Sequence, residues 1–492
     1  MHFISARTLL LWLLLLSGTR LLAQRPAVYS LNDIISRAQM QSYSYKLAAT
    51  QKEISFYRFR TFSSEFKPQV SLYGNAPVYN KEYYAVRQPD GAISYQLIEQ
   101  SNNNIGLGIS QRLPFSGGTI SLNTDLSRFD NFQTKTKQYS GTPVYLQLNQ
   151  PLFAVNELKW NRLIETLKFD ESQKQFAFDR EQIAQVAVGL FFGILEAQNN
   201  IDIATTNLLV AQENYEIEKK RVNLGTTSED RLLQLELQML RSKQDLERAK
   251  YDHTIAQLNL NMYIGIKEEK ILLIEPVQSK KLSIDLAEAT SHAKKNRPEF
   301  IAFQRRTREA QRDVAVARAA TQQVNLTASY GLSHIGTQVG DVYQNPNNQQ
   351  RLSIGFNIPL VDWGRRKARY HTARALEKLT ATSNEFEEAN IFQAIEILIN
   401  NMTLLESNID LARKTDSVAH RRYILANDLY QIGKLSVTDL SFAQSEKDNS
   451  RRNYINALRA FWDCYYQLRK QTLYDFEKHE SLLRTSTPDN TN

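Results

Sequence analysis

Cysteine is nearly absent: one residue, Cys464, in a chain of 492. An exported protein with one cysteine is not held by an intramolecular disulfide, so stability must come from packing, assembly or membrane insertion. Beyond the first two dozen residues there is no apolar run near the about 20 residues a transmembrane helix needs. Histidines are few and scattered (His2, His253, His292, His334, His371, His420, His479), and no pair has metal-ligand spacing. Gly106-Leu107-Gly108 lies in an alternating strand and lacks a phosphate-loop context. His253 falls on a helix seam and reads as a packing residue, and Cys464, among aromatics, as a buried, inert thiol. No catalytic constellation, metal site or cofactor motif emerges, which speaks against an enzyme. The 60 Lys and Arg outnumber the 52 Asp and Glu for a net charge of +8, but the signs are interleaved along helix-like segments. That pattern is a solvated helix surface and not a nucleic-acid patch.

What is present begins with a signal peptide. Arg7 gives a positive n-region, Leu9 to Leu16 a short apolar core, and Leu21-Leu22-Ala23 a cleavage site before Gln24. Residues 1–23 are therefore set apart from the fold. The residue directly after the cleavage site is Gln24 and not cysteine, which argues against a lipid anchor.

The mature chain is duplicated. Pro151 and Pro359 lie 208 residues apart, and so do Gly225 and Gly433. Ile183, Ala187, Leu190, Ile194 and Ala197 map at the same offset of 208 onto Ile391, Ile395, Leu398, Met402 and Leu405, all apolar. Asn149-Gln150-Pro151-Leu152 matches Asn357-Ile358-Pro359-Leu360, and Ser228 matches Ser436. We assign residues 24–270 to the first repeat, 271–284 to a linker, 285–475 to the second repeat and 476–492 to a polar tail.

Each half reads as helix, strands, very long helix, turn, long helix. Leu352 to Ile358 alternates apolar and polar, as do Val144, Leu146 and Leu148, so these strands have two different faces. Val70–Tyr73 and Val324–Ala328 are further strands. Turns at Gln88–Gly91 and Phe115–Gly118 give the first half more β material, read as an extra hairpin or a long surface loop within residues 75–140. At about four strands per chain, the sheet cannot close a membrane barrel alone, since the smallest have about eight. From about Glu157 to Val222 and from about Arg365 to Ile432 no proline interrupts the helical pattern. Each rod would be roughly 100 Å long. The return helices carry seams in steps of three and four, from Leu235 to Tyr263 and from Leu440 to Leu468, which is coiled-coil packing. Small and polar seam residues imply further contact with neighbouring helices, including those of other subunits.

Asn357 to Arg366 resembles the strand-to-helix junction of the TolC-like outer-membrane efflux proteins, and Gly225–Leu232 and Gly433–Leu440 resemble that family's helix-hairpin tips. The likeness runs over about residues 29–470. It implies a mostly α fold with a β-barrel part: a homotrimer that shares one outer-membrane barrel and extends a coiled-coil tunnel into the periplasm. It implies a channel for tripartite efflux or type I secretion. Its partners would be outer-membrane lipid, a periplasmic adaptor protein and an inner-membrane pump of the RND or ABC kind. By the same resemblance Gly225, Thr226, Ser228, Gly433 and Ser436 form the adaptor-docking tip, and Asp439, Phe442 and Asp230 are candidates for the gate. Pro151, Pro359 and Gly364 mark the junctions. Phe442 stands where a second acid often sits, and the first junction lacks the glycine and paired arginines of the second. Asp439 either contributes to an acidic ring or caps the returning helix. The alternative function is a non-transporting trimeric envelope rod or adhesin, which has no need of strands midway between helices in both halves.

Overall fold

The computed structural model describes residues 27–266, 271–276, 281–319 and 323–483. The signal peptide lies outside the described residues. The helices repeat in matched lengths. Helix α1 (Leu31–Gln41) and α5 (Leu286–Asn296) each have 11 residues, and α2 (Tyr43–Ser64) and α6 (Pro298–Ala319) each have 22. The rods α3 (Glu157–Asn223) and α7 (Arg365–Gln431) each have 67 residues, and the returns α4 (Glu229–Ile264) and α8 (Val437–Thr472) each have 36. Among the described residues no helix is long and apolar enough to cross a membrane.

The halves differ most in their strands. Between α2 and α3 lie β2 (Gln69–Asn75), β3 (Tyr79–Arg87), β4 (Ile93–Arg112), β5 (Thr119–Asn131) and β6 (Thr136–Pro151). Between α6 and α7 lie β8 (Gln323–Gly336) and β9 (Asn347–Asn357). All seven form one antiparallel sheet in the order β2-β4-β5-β6-β8-β9, with β3 also on β4. The extra material in residues 75–140 is thus a β3–β4 hairpin plus strands built into the sheet. Seven strands replace the expected four.

Two compact units divide the described residues. Among them, one comprises residues 27–51, 174–297 and 391–483; the other comprises residues 52–173 and 298–390 and holds the sheet. The first unit has an apolar core where the duplicated register meets. Ala187, Phe191 and Ile194 of α3 pack with Ile395 and Met402 of α7 and with Leu458, Phe461 and Leu468 of α8. The 3.6-residue period puts these side chains on one stripe, and burying each contributes about 1.5–3 kcal/mol. The linker is not bare: its first residues form β7 (Ile271–Leu273), parallel to β1 (Ala27–Tyr29). The polar tail also begins inside the structure. Strand β10 (Tyr474–Asp475) pairs with β11 (Glu480–Ser481), Phe476 is buried, and Tyr474 stacks on His292 at 3.7 Å between ring centroids.

Candidate functional site: a two-faced sheet and paired helix tips

Strand register sorts the sheet's side chains into rows, because neighbours across antiparallel strands point to the same face. One row runs Val70, Ile109, Leu122, Leu146, Tyr330 and ends at Gln350. The row one residue away is Gln69, Ser110, Ser121, Gln147, Ser329 and Arg351, polar throughout and on the opposite face. The next apolar row resumes with Ile120, Leu148, Ala328 and Leu352. Leu352, Ile354 and Phe356 of β9 are all exposed. A sheet with one apolar and one polar face suits a wall between hydrocarbon and water. Tyr73 is on the polar face. Its ring lies over Gly106, where an added Cβ would meet the Tyr73 ring at 2.5 Å.

The strand-to-helix junction after β9 is organised by Asp362. Its carboxylate accepts the Gly364 N–H at 3.1 Å, the Arg366 N–H at 3.1 Å and the Arg366 Nε–H at 2.7 Å. Loss of hydration opposes ionisation there, but the hydrogen bonds from Arg366 and Gly364 prevail and hold the carboxyl below its ordinary value. Pro359 precedes this cap, and Gly364 takes φ +86°. The first junction uses another device. Pro151 closes β6 opposite Asn325, and Asn156 caps α3 by accepting the Lys159 N–H at 3.1 Å.

The two tips share one backbone solution. Gly225 has φ +69° and Gly433 has φ +76°. Thr226 N–H donates to Arg221 O at 3.0 Å and Gly225 N–H to Val222 O at 2.9 Å; Lys434 to Leu429 and Gly433 to Tyr430 repeat the pattern, both at 2.9 Å. This is the Schellman ending, which needs a left-handed residue at its turn. A Cβ added at either glycine would meet nothing within 4 Å, so the constraint is conformational and not steric. The restarts differ. Ser436 caps α8, accepting the Asp439 N–H at 3.1 Å while its hydroxyl donates to the Asp439 carboxylate at 2.6 Å. Ser228 precedes α4 without a side-chain cap bond. Thr227 instead donates to Glu218 at 2.6 Å, a buried carboxylate that Arg221 also pairs with at 3.2 Å. The Arg221 guanidinium lies 5.6 Å from the centre of the Tyr430 ring, joining the first hairpin to the second.

Asp439 and Phe442 lie one turn apart on α8, Asp230 lies in the first turn of α4, and each has its own partner. Asp439 is exposed and engaged with Ser436. Asp230 is exposed and accepts from Gln234 at 3.2 Å. Phe442 is exposed, with Arg422 5.3 Å from its ring centre, and Arg422 is itself paired with Glu446. The seam's polar members find partners that the sequence did not disclose. Lys447 sits 4.3 Å from the Tyr423 ring centre and 3.1 Å from Asp448, which accepts from Asn207 of α3 at 2.6 Å.

The outer membrane efflux protein family model matches residues 85–266 and 289–472, together most of the chain. No curated protein matches by sequence. Among solved structures the fold resembles the CmeC outer membrane channel of Campylobacter jejuni, with a TM-score of 0.66 at 15% identity over 90% of this chain and 85% of that one. The outer membrane protein VceC of Vibrio cholerae gives 0.61 at 15% identity, covering 91% and 95%. The open state of the MtrE outer membrane channel of Neisseria gonorrhoeae gives 0.62 at 16% identity, covering 90% and 88%. With the matched helix pairs and the two-faced sheet, these similarities lead to one conclusion: the chain belongs to the outer membrane efflux protein family.

Proposed function

We propose that three copies of this chain form one outer-membrane export channel whose helical hairpins dock a periplasmic adaptor fed by an inner-membrane pump. The observation that carries the reading is the sheet. It has an apolar face, a polar face and unpaired edges at β2–β3 and β9. Backbone groups on an open edge cannot stay unpaired in hydrocarbon, so the sheet must be completed by other copies. The rival reading, a rod or adhesin without transport, gives no role to the polar face. Cells relying on this chain should accumulate a dye substrate of the pump when the chain is deleted and clear it when the chain is restored. Unchanged clearance on deletion would contradict export.

The tips are the proposed docking end. Valine at a left-handed position costs about 1–2 kcal/mol. The double substitution Gly225→Val and Gly433→Val should weaken co-purification of the adaptor while the β-sheet signal of the assembled protein persists. Full adaptor recovery with normal export would place docking elsewhere.

A trimer would gather three Asp439 carboxylates around one axis, and a confined ring of negative charge favours cations. The Asp439 carboxylate also accepts the hydroxyl of Ser436, the cap of α8. Asp439→Asn retains an oxygen for the Ser436 hydroxyl and removes the charge. Planar-bilayer recordings should show reduced cation preference and weaker block by trivalent cations from the periplasmic side. Unchanged selectivity with unchanged assembly would leave Asp439 a support of the Ser436 cap only.

A further inference from the structure

The two halves place unequal numbers of strands in the sheet. The second gives β8 and β9. In the first, β2 and β3 lie end to end along the same edge of β4: Gln69–Asn75 faces Ser110–Asn104, and Tyr79–Arg87 faces Ser101–Ile93. They share one place in the order, which is therefore six places wide: β2, β4, β5, β6, β8, β9. Had each half contributed two strands, the width would be four.

The added pair is either an excursion away from the membrane or part of the wall. Register decides between them. Ile109 of β4 and Leu122 of β5 sit in the same apolar row as Leu146 and Tyr330, and Ser110 and Ser121 sit in the same polar row as Gln147 and Ser329. An excursion exposed to water on both sides has no reason to keep that alternation in step with its neighbours. The apolar face of β4 stops at Ile105; the next same-face residues are Asn103 and Ser101, opposite Arg128 and Asp130, which form an ion pair at 2.8 Å. Beyond that level only the β3–β4 hairpin continues, and its polar pairs suit water: Tyr79 and Lys81 both bind Glu99.

We propose that β4 and β5 are wall strands, so that three copies close an eighteen-stranded barrel whose apolar belt faces lipid. The inference rests on the trimer reading above. Strand direction allows closure, since β2 and β9 run oppositely and β9 of one copy can pair antiparallel with β2 of the next. At a strand spacing of about 4.8 Å and a tilt of about 40°, eighteen strands give a backbone diameter of about 36 Å, against about 24 Å for twelve. The outer exit then has the bore of a porin. Its inner face carries short polar groups such as Ser121, Asn123, Asn149, Thr327, Ser329 and Ser353. Such an exit does not sort cargo by size; the narrow point of the conduit lies outside the barrel, and bulky hydrophilic cargo fits the opening.

Electron cryomicroscopy of the full-length protein in lipid nanodiscs should show eighteen strands in a particle of three chains. Three chains around twelve strands, with β4 and β5 folded into the lumen or outside the bilayer, overturns the count and leaves the trimer standing. A different number of chains overturns the assembly reading instead. A chemical arm uses a Cys464→Ala background, although burial already pushes that thiol up to about 11. A thiol in hydrocarbon loses its reactive thiolate, so Leu107→Cys and Leu122→Cys should react with a water-soluble maleimide at least about tenfold more slowly in proteoliposomes than Asn123→Cys. Equal rates at Leu122 and Asn123 would remove β5 from the wall.

Discussion

Arg469→Leu is expected to cost the folded chain about 3–5 kcal/mol, because it strands two buried carboxylates. The Arg469 guanidinium reaches Glu181 of α3 at 3.1 Å and Asp475 of β10 at 2.8 Å. Glu181 is 4% exposed and Asp475 1%. Asp475 also accepts the Tyr465 hydroxyl at 2.8 Å and the N–H groups of Glu477 and Lys478 at 3.0 and 3.1 Å. Leucine removes the guanidinium that pairs with both acids and leaves them little access to water. The urea midpoint of the helical signal should fall sharply. Lys250→Ala, which breaks an exposed pair with Glu247, should move it by less than about 1 kcal/mol. Equal shifts in the two variants would mean that water reaches the cluster. The cluster also fixes a pH dependence. Burial raises the Asp475 carboxyl, but Arg469 and the hydrogen bonds outweigh it and the folded value is lowered. Its contribution is therefore complete above the unfolded aspartate pKa, about 3.9, and is lost as pH falls through the lower folded value.

Leu146→Arg should cost about 2–4 kcal/mol in the bilayer, while Gln147→Arg one position along should cost close to nothing. The contrast comes from the strand period: Leu146 pairs with Leu122 and Tyr330 on the apolar face, and Gln147 with Ser121 and Ser329 on the polar face. Outer-membrane fractions should hold much less heat-resistant Leu146→Arg assembly than wild type or Gln147→Arg. Loss in both variants, or in neither, would show that the two faces do not separate lipid from water.

The helical half of this architecture was legible because its signals are local. The offset of 208 between the glycines gave the tips, and both glycines adopt the left-handed backbone expected from helix ends. The stripe from Ala187 to Ile194 and its copy from Ile395 to Met402 became core because a 3.6-residue period leaves a rod one face to bury. The sheet was harder. Gly106 and Gly108 interrupt the alternation of β4, and what fills the space over Gly106 is Tyr73, from a strand 33 residues earlier. Strand pairing is non-local, so wall strands and a surface loop look alike until register is known. The acidic cluster was invisible for the same reason: Arg469 and Glu181 are 288 residues apart, and neither stands out on its helix. At the tip, Glu218 looked like one more solvated helix acid until Thr227 and Arg221 closed over it.

The most direct measurement is the mass of the protein extracted from outer membranes in mild detergent, by light scattering corrected for bound detergent. The sheet's two open edges require neighbours, and its antiparallel order closes when β9 of each copy meets β2 of the next. Three chains per particle are expected. A stable, detergent-free monomer after removal of the signal peptide would contradict it.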